Sequence, residues 1–141
     1  MGYIESTISG DEKVEYKFSY HWIKWVIPVF LLIIFIPQID MENQVTLLLI
    51  IPGLYLMLKI IFTEQGVTTK KGIKKVGIIS RNTEELLLSQ VETVEIKQGV
   101  LGRLLGYGNV RLTGTGSSNL IFHTISNPIN VKINIESLLN K

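Results

Sequence analysis

The stretch Asn109–Thr124 (NVRLTGTGSSNLIFHT) carries the pattern of a β-hairpin. In its first part, Val110 and Leu112 alternate with polar residues, as expected for a strand with one buried face. Gly114–Ser118 is typical of a tight turn, and Asn119–Thr124 has the composition of a returning strand. This segment therefore predicts two antiparallel strands near the C-terminal end.

Further β-prone segments precede this hairpin. They are Gly66–Thr69, Ile73–Ile79, Glu84–Leu88 and Thr93–Lys97. Turn-forming residues separate them at intervals of about 8–12 residues, which is the spacing of antiparallel barrels and sandwiches. Residues 63–141 are therefore predicted to form one small β domain.

The last segment, residues 129–139, fits two patterns. Its apolar residues alternate as in a strand, but Val131 and Ile135 also lie on one face of a helix. Asn127-Pro128 is a suitable helix start, with proline at the first helical position. A closing helix is the favoured interpretation, and a strand stays open as the alternative.

Two apolar runs lie on the N-terminal side of the β domain. Trp22–Ile39 and Val45–Phe62 are each about 18 residues long, the lower end of what a membrane-spanning helix needs. Only Lys24 and Lys59 interrupt them, both near a segment end. The runs predict a transmembrane hairpin over 22–39 and 45–62. Two buried helices of a soluble bundle are the alternative, which the lack of a polar stripe disfavours.

The basic residues predict an orientation for that hairpin. The connector 37–44 contains acids but no Lys or Arg, whereas lysines flank the hairpin on its outer sides. The positive-inside rule then predicts both termini in the cytoplasm, with residues 1–21 as a cytoplasmic segment. An acidic stretch before the first run argues against a cleavable signal peptide.

The composition limits the chemistry of the chain. It has 141 residues, 46% of them hydrophobic, with a formal net charge of +2. The absence of cysteine excludes disulfides and thiolate metal sites. The length leaves room for a helical hairpin and one small domain.

The stretch Gly99–Val110 (GVLGRLLGYGNV), after Leu88–Val94 (LSQVETV), resembles the bacterial pleckstrin-homology-like family of small membrane proteins. The resemblance extends to Gly10–Val14, His21-Trp22 and Val67–Lys71, and so covers nearly the whole chain. It implies a curved β-barrel capped by a C-terminal helix and carried on a helical hairpin in the bacterial inner membrane. It implies no agreed biochemical activity.

A basic cluster follows the second apolar run. Its members, the candidate contacts to lipid headgroups, are Lys70, Lys71, Lys74, Lys75 and Arg81. Cations near an anionic leaflet gain about 1 kcal/mol each. The alternative is that these residues serve as the topology signal and as solvated strand edges. The family usually has an arginine pair where this chain has Lys70-Lys71, which weakens a headgroup clamp.

The glycine-rich loop is the candidate contact surface for a partner. Its residues are Leu101, Gly102, Arg103, Leu104, Leu105, Gly106, Tyr107 and Gly108. It lacks the pattern of a phosphate-binding loop. A short helical turn with its leucines packed inward is expected, and Gly106 and Gly108 are expected to supply backbone conformations closed to other residues. Arg103 is left as a charge for an ion pair or a partner.

Catalysis finds little support in the sequence. His21 and His123 are the only histidines, and nothing in the sequence brings them together. No motif of a hydrolase or metal site is present. We therefore predict no enzyme, catalytic residue, metal or cofactor, and neither nucleic acid nor a small-molecule substrate as partner.

The function predicted from the sequence is a membrane-anchored, non-enzymatic module. It binds a protein partner or copies of itself at the cytoplasmic face, with the lipid bilayer as its support. The alternative is a sensor of anionic lipid that uses the lysines after the hairpin.

Overall fold

A computed structural model describes residues 3–8, 10–36, 44–77 and 82–140. The helices are α1 (Tyr3–Ser6), α2 (Ile23–Phe35), α3 (Gln44–Ile61), α4 (Val100–Leu105) and α5 (Pro128–Leu139). The strands are β1 (Val14–Phe18), β2 (Glu64–Thr68), β3 (Lys71–Val76), β4 (Asn82–Leu87), β5 (Val91–Lys97), β6 (Tyr107–Gly114) and β7 (Asn119–Ser126). Short 3₁₀ turns occupy Leu88–Gln90 and Thr115–Ser117.

The described strands form two antiparallel sheets. One has the order β1-β2-β3-β4 and the other the order β5-β6-β7. They approach each other where β3 and β4 come close to β7. The fold is therefore α+β, and a strand lies at each of the six β-prone segments expected from the sequence, followed by the closing helix.

The core lies between the two sheets and under α5. Its buried residues are Val67, Leu86, Leu88, Val94, Val110, Leu112, Leu120, Phe122, Ile125, Val131 and Ile135. The alternation of β6 is regular, with every second residue from Gly108 to Gly114 buried. Val131 and Ile135 of α5 belong to this core, which confirms the helical interpretation of this segment.

The N-terminal segment contributes a strand that the sequence did not reveal. Strand β1 pairs with β2, Phe18 opposite Gln65, and its Phe18 ring meets Phe122 edge-on at 5.0 Å. Helix α1 covers the outer face of the same sheet, where Ile4 is fully buried. Residues before the helical hairpin therefore form part of the β fold.

The transmembrane hairpin predicted over 22–39 and 45–62 is overturned. Within the described ranges, no helix combines the length and the apolar character needed to cross a membrane. Helix α2 has 13 residues, or about 20 Å of rise, against a hydrocarbon core of about 30 Å. The predicted two-span inner-membrane localisation, with both termini cytoplasmic, loses its basis with it.

Helices α2 and α3 nevertheless pack together as a pair. A Cβ added at Gly53 of α3 would lie 3.2 Å from Leu32 Cδ2 of α2, so this glycine permits a close approach. The start of α2 is tied to the second sheet, because the His21 N–H donates to the Thr124 carbonyl at 2.9 Å. Tyr20 forms a bridge with Ile125. These contacts place the helix pair beside β7.

Candidate functional site

A cleft of about 510 Å³ lies where the helix pair meets the first sheet and β7. Its lining residues are Tyr20, Lys24, Ile27, Pro28, Leu56, Lys59, Ile60, Thr63, Lys74, Val76, Asn82, Glu84 and His123. This volume is in the range of small-molecule sites, which are mostly apolar with a few polar groups. We call it the junction cleft.

Three lysines from three different elements reach the junction cleft. Lys24 comes from α2, Lys59 from α3 and Lys74 from β3. Lys74 is 7% exposed, and its Nζ lies 3.0 Å from Glu84 Oε2. The cleft therefore concentrates positive charge, with Glu84 as the carboxylate among its described lining residues.

The surroundings of Lys24 disfavour the charged form of its side chain. Burial lowers its pKa to about 8, and the positive charges of Lys59 and Lys74 act in the same direction. Its Nζ lies 3.2 Å from the centroid of the Tyr20 ring, a cation–π contact that partly compensates. The ammonium thus sits among like charges with an aromatic face as its support.

His123 stands in the same cleft as a neutral group. Burial lowers its pKa, and Lys74 and Lys24 lower it further against a smaller opposite effect of Glu84. The pKa of an unperturbed histidine, 6.5, is already below pH 7. A lowered pKa therefore leaves this imidazole predominantly uncharged at pH 7. It offers one N–H donor and one acceptor.

Tyr20 and Thr63 supply hydroxyl groups near the C-terminal end of α3. Burial raises the pKa of Tyr20, and a hydrogen bond with Thr63 opposes this shift. The Thr63 hydroxyl donates to the Lys59 carbonyl at 2.6 Å. Both hydroxyls therefore remain protonated at neutral pH and belong to a fixed network.

The structure divides the predicted basic cluster between two faces of β3. A Cβ at Gly72 would lie 2.8 Å from Leu120 Cδ2, so Gly72 and Lys74 face the interior side. Lys71 and Lys75 face the opposite side, where Lys71 Nζ lies 2.8 Å from Glu85 Oε2. Lys70 is exposed in the β2–β3 turn.

Arg81 lies outside the described residues. The headgroup contacts of this cluster stay a prediction. The junction cleft also contains Lys24 and Lys59, which the sequence presents only as interruptions of the apolar runs. Their convergence depends on tertiary packing, so no local pattern predicts it.

The first part of the predicted partner-contact loop, Leu101–Leu105, lies in helix α4, whereas Tyr107 and Gly108 begin β6. Val100, Leu101 and Leu104 are 86%, 63% and 79% exposed, so the expectation that the leucines pack inward was wrong. Gly102 is buried, and a Cβ there would lie 2.6 Å from the Tyr107 carbonyl. The close approach of this glycine turns the apolar side chains outward.

The two predicted roles of glycine in this loop differ in outcome. Gly106 ends α4 with φ of 77°, the left-handed conformation that was expected. Gly108 instead sits in a β-strand and is needed for space, because a Cβ there would lie 2.5 Å from Gln98 Cγ. The Gln98 side chain donates to the Tyr107 carbonyl at 2.9 Å and fixes the loop.

Nothing in the described part of the chain assembles a metal centre, since no group of three or more metal-binding side chains occurs there. His21 stacks against Trp22 and Tyr107 with centroid distances of 5.4 and 5.3 Å. Its Nδ1 accepts the Ile23 N–H at 3.3 Å, so it caps α2. His21 thus has a structural role, whereas His123 lines the cleft.

The family described as Bacterial PH domain matches residues 18–138. This match covers most of the chain and confirms the resemblance found in the sequence. No curated protein and no solved structure matches the chain.

Proposed function

The chain belongs to the bacterial PH domain family, and we propose that it is a non-catalytic binding module that captures a protein partner on helix α4. Domains of this type generally work by binding. The observation that carries the proposal is the exposure of apolar side chains on a helix that the fold holds in place.

Helix α4 presents its apolar residues on a fixed support. Gly99 precedes it in an extended conformation, and Gly106 ends it in the left-handed one. Gln98 bonds to the carbonyls of Gly102 and Tyr107 at 3.3 and 2.9 Å. Such a support lowers the conformational entropy lost when a partner binds.

The charge of α4 indicates the chemistry of that partner. Arg103 is exposed between the leucines and forms no ion pair with any residue in the described ranges. A guanidinium next to apolar side chains suits a groove that is apolar at its centre and carries a carboxylate at its rim. We therefore infer a protein with an acidic rim around an apolar groove.

A photo-crosslinking amino acid at Leu104 tests this assignment in cells that produce the full chain. We expect one defined adduct with a second protein, lost in the Arg103→Glu variant because the carboxylate at the rim then repels it. Leu87 is the control position. It is 46% exposed and lies near Leu138 and Leu139, at the far end of α5 from α4.

Two results contradict the proposal. One is the absence of an adduct at Leu104 beyond the level at Leu87. The other is an adduct of twice the mass of the chain, which would assign the surface to self-association instead.

Recognition of anionic lipid by the predicted basic cluster has weaker support. Lys71 and Lys74 are each paired with a glutamate, and they lie on opposite faces of β3. A flat headgroup surface cannot meet both faces of one strand at once.

A further inference from the structure

We propose that the junction cleft binds an amphiphile with a phosphate monoester head and a single alkyl chain. The head contacts Lys24, Lys59 and Lys74, and the chain lies along the apolar wall of the helix pair. This assignment is independent of the partner surface on α4, because the two sites share no residue.

The positive charges of the lysines in the cleft are not fully neutralised by nearby carboxylates. Glu84 is paired with Lys74 at 3.0 Å, and neither Lys24 nor Lys59 has a carboxylate partner within the described ranges. Two positive charges therefore remain uncompensated. A phosphate monoester carries about 1.5 to 2 negative charges at pH 7, which matches them.

Neutral donors complete the site for the head. The Tyr20 hydroxyl and the His123 imidazole line the same cleft as the lysines, whereas the proton of the Thr63 hydroxyl is already donated to the Lys59 carbonyl. Hydrogen bonds from such groups to an anion are stronger in a half-buried site than in water. The cleft thus offers charge and directional donors together.

The opposite wall of the cleft is apolar. Ile27, Pro28, Leu56 and Ile60 line it. Pro28 and Ile60 are buried, whereas Ile27 is 65% exposed and opens onto the surface of α2. An alkyl chain can leave the cleft along Ile27, and burial of its CH₂ groups against this wall removes apolar surface from water. A free phosphate ion would leave this wall unused.

Three probes separate the contributions of head and chain, each added to the purified full chain below its critical micelle concentration where it has one. Octyl phosphate has both parts, inorganic phosphate has the head alone, and octyl glucoside has the chain with a neutral head. Isothermal titration measures affinity, and NMR follows the His123 imidazole. We expect octyl phosphate to bind at least tenfold more tightly than either of the others and to raise the pKa of His123.

Variants assign the binding to this cleft. Lys24→Gln and Lys59→Gln are each expected to weaken octyl phosphate about tenfold, the loss of one charge-assisted contact. Ile27→Ser is expected to weaken octyl phosphate and to leave inorganic phosphate unchanged. Lys132→Gln is the matched control, because Lys132 lies on α5 and pairs there with Glu136 at 3.5 Å.

Each opposite outcome rejects the assignment. Equal affinity for octyl glucoside would show an apolar site without a head contact. Equal affinity for inorganic phosphate would show a site for the free ion. Wild-type affinity in both lysine variants would place the binding elsewhere on the chain.

Discussion

The side-chain amide of Gln65 pairs with the backbone of His123 in the manner of a neighbouring strand. Its Oε1 accepts the His123 N–H at 2.7 Å, and its Nε2 donates to the His123 carbonyl at 3.2 Å. Gln65 is on β2 and is 2% exposed, whereas His123 is on β7. One glutamine therefore joins the two sheets and sets the position of the histidine in the junction cleft.

Replacement of Gln65 by leucine removes both hydrogen bonds. Two partly buried backbone groups of His123 lose their partners, so we expect the free energy of unfolding to fall by about 1–3 kcal/mol. Urea denaturation measures this change. Gln90→Leu is the control, since Gln90 is exposed. An equal effect in both variants would contradict the role given to Gln65.

Gly72 is required for space in the core. Its added Cβ would lie 2.8 Å from Leu120 Cδ2 and 3.2 Å from Leu112 Cδ1. We expect Gly72→Ala to destabilise the fold by about 1–3 kcal/mol through overpacking. Gly99→Ala has open space around the new methyl group and is expected to leave the midpoint of urea denaturation unchanged. An unchanged stability of the Gly72→Ala variant would contradict this prediction, because it would show that the neighbouring leucines can move to admit the methyl group.

Lys24 makes stability depend on pH in the alkaline range. Its pKa is about 8 in the folded chain and 10.5 in the unfolded one. Between these values the unfolded state binds more protons, so stability rises with pH. Tyr20, whose pKa is raised above 10.0, acts in the opposite direction only at higher pH.

The Lys24→Met variant tests this dependence. Between pH 8 and 10 we expect the free energy of unfolding to rise less steeply in the variant than in the wild type. At pH 7 we expect the variant to be more stable by on the order of 1 kcal/mol, after solvent screening. Chemical denaturation at a series of pH values measures both. The other charged groups of the cleft, Lys59, Lys74 and Glu84, are unchanged by the substitution. A parallel curve for wild type and variant would refute the effect.

The pKa of His123 reports the charges around it. Lys74 lowers this pKa and Glu84 raises it. We expect Lys74→Met to move the pKa of His123 up and Glu84→Gln to move it down, measured by NMR titration of the imidazole. Lys132→Gln on α5 provides the reference. Shifts of the same sign in the two cleft variants would be inconsistent with this arrangement.

The β domain needs the segment before the helix pair. A chain of residues 64–141 lacks β1, which covers the edge of β2, and lacks the Phe18 ring against Phe122. We expect this fragment to lose the dispersed NMR spectrum of a packed core. A chain that starts at Gly10 keeps β1 and is expected to retain the dispersed NMR spectrum. A well-folded 64–141 fragment would disprove the requirement.

Local patterns in the sequence recovered the local elements. The alternation around Val110 and Leu112, with the turn after it, predicts β6 and β7 because both strands and their turn are contiguous. Pro128 and the stripe of Val131 and Ile135 predict α5 for the same reason. These features depend on neighbours in the chain alone.

Elements that depend on distant partners were missed. Strand β1 has five residues with charged side chains among them, and its partner Thr68 lies far along the chain from Val14. Lys24 and Lys59 meet Lys74 only after the helices pack on the sheet. The apolar run that contains α2 was misjudged because hydropathy reports composition and not the length of a helix, and α2 has only 13 residues.

The corner between α4 and α5 has a mechanical consequence. The Asn127 N–H donates to the Gly106 carbonyl at 2.9 Å, and Pro128 packs directly over Gly108. The C-terminal end of α4 and the N-terminal end of α5 therefore meet at one hydrogen-bonded corner. Because Val131 and Ile135 of α5 lie in the core, we expect a displacement of α4 by a bound partner to reach the helix that closes the fold.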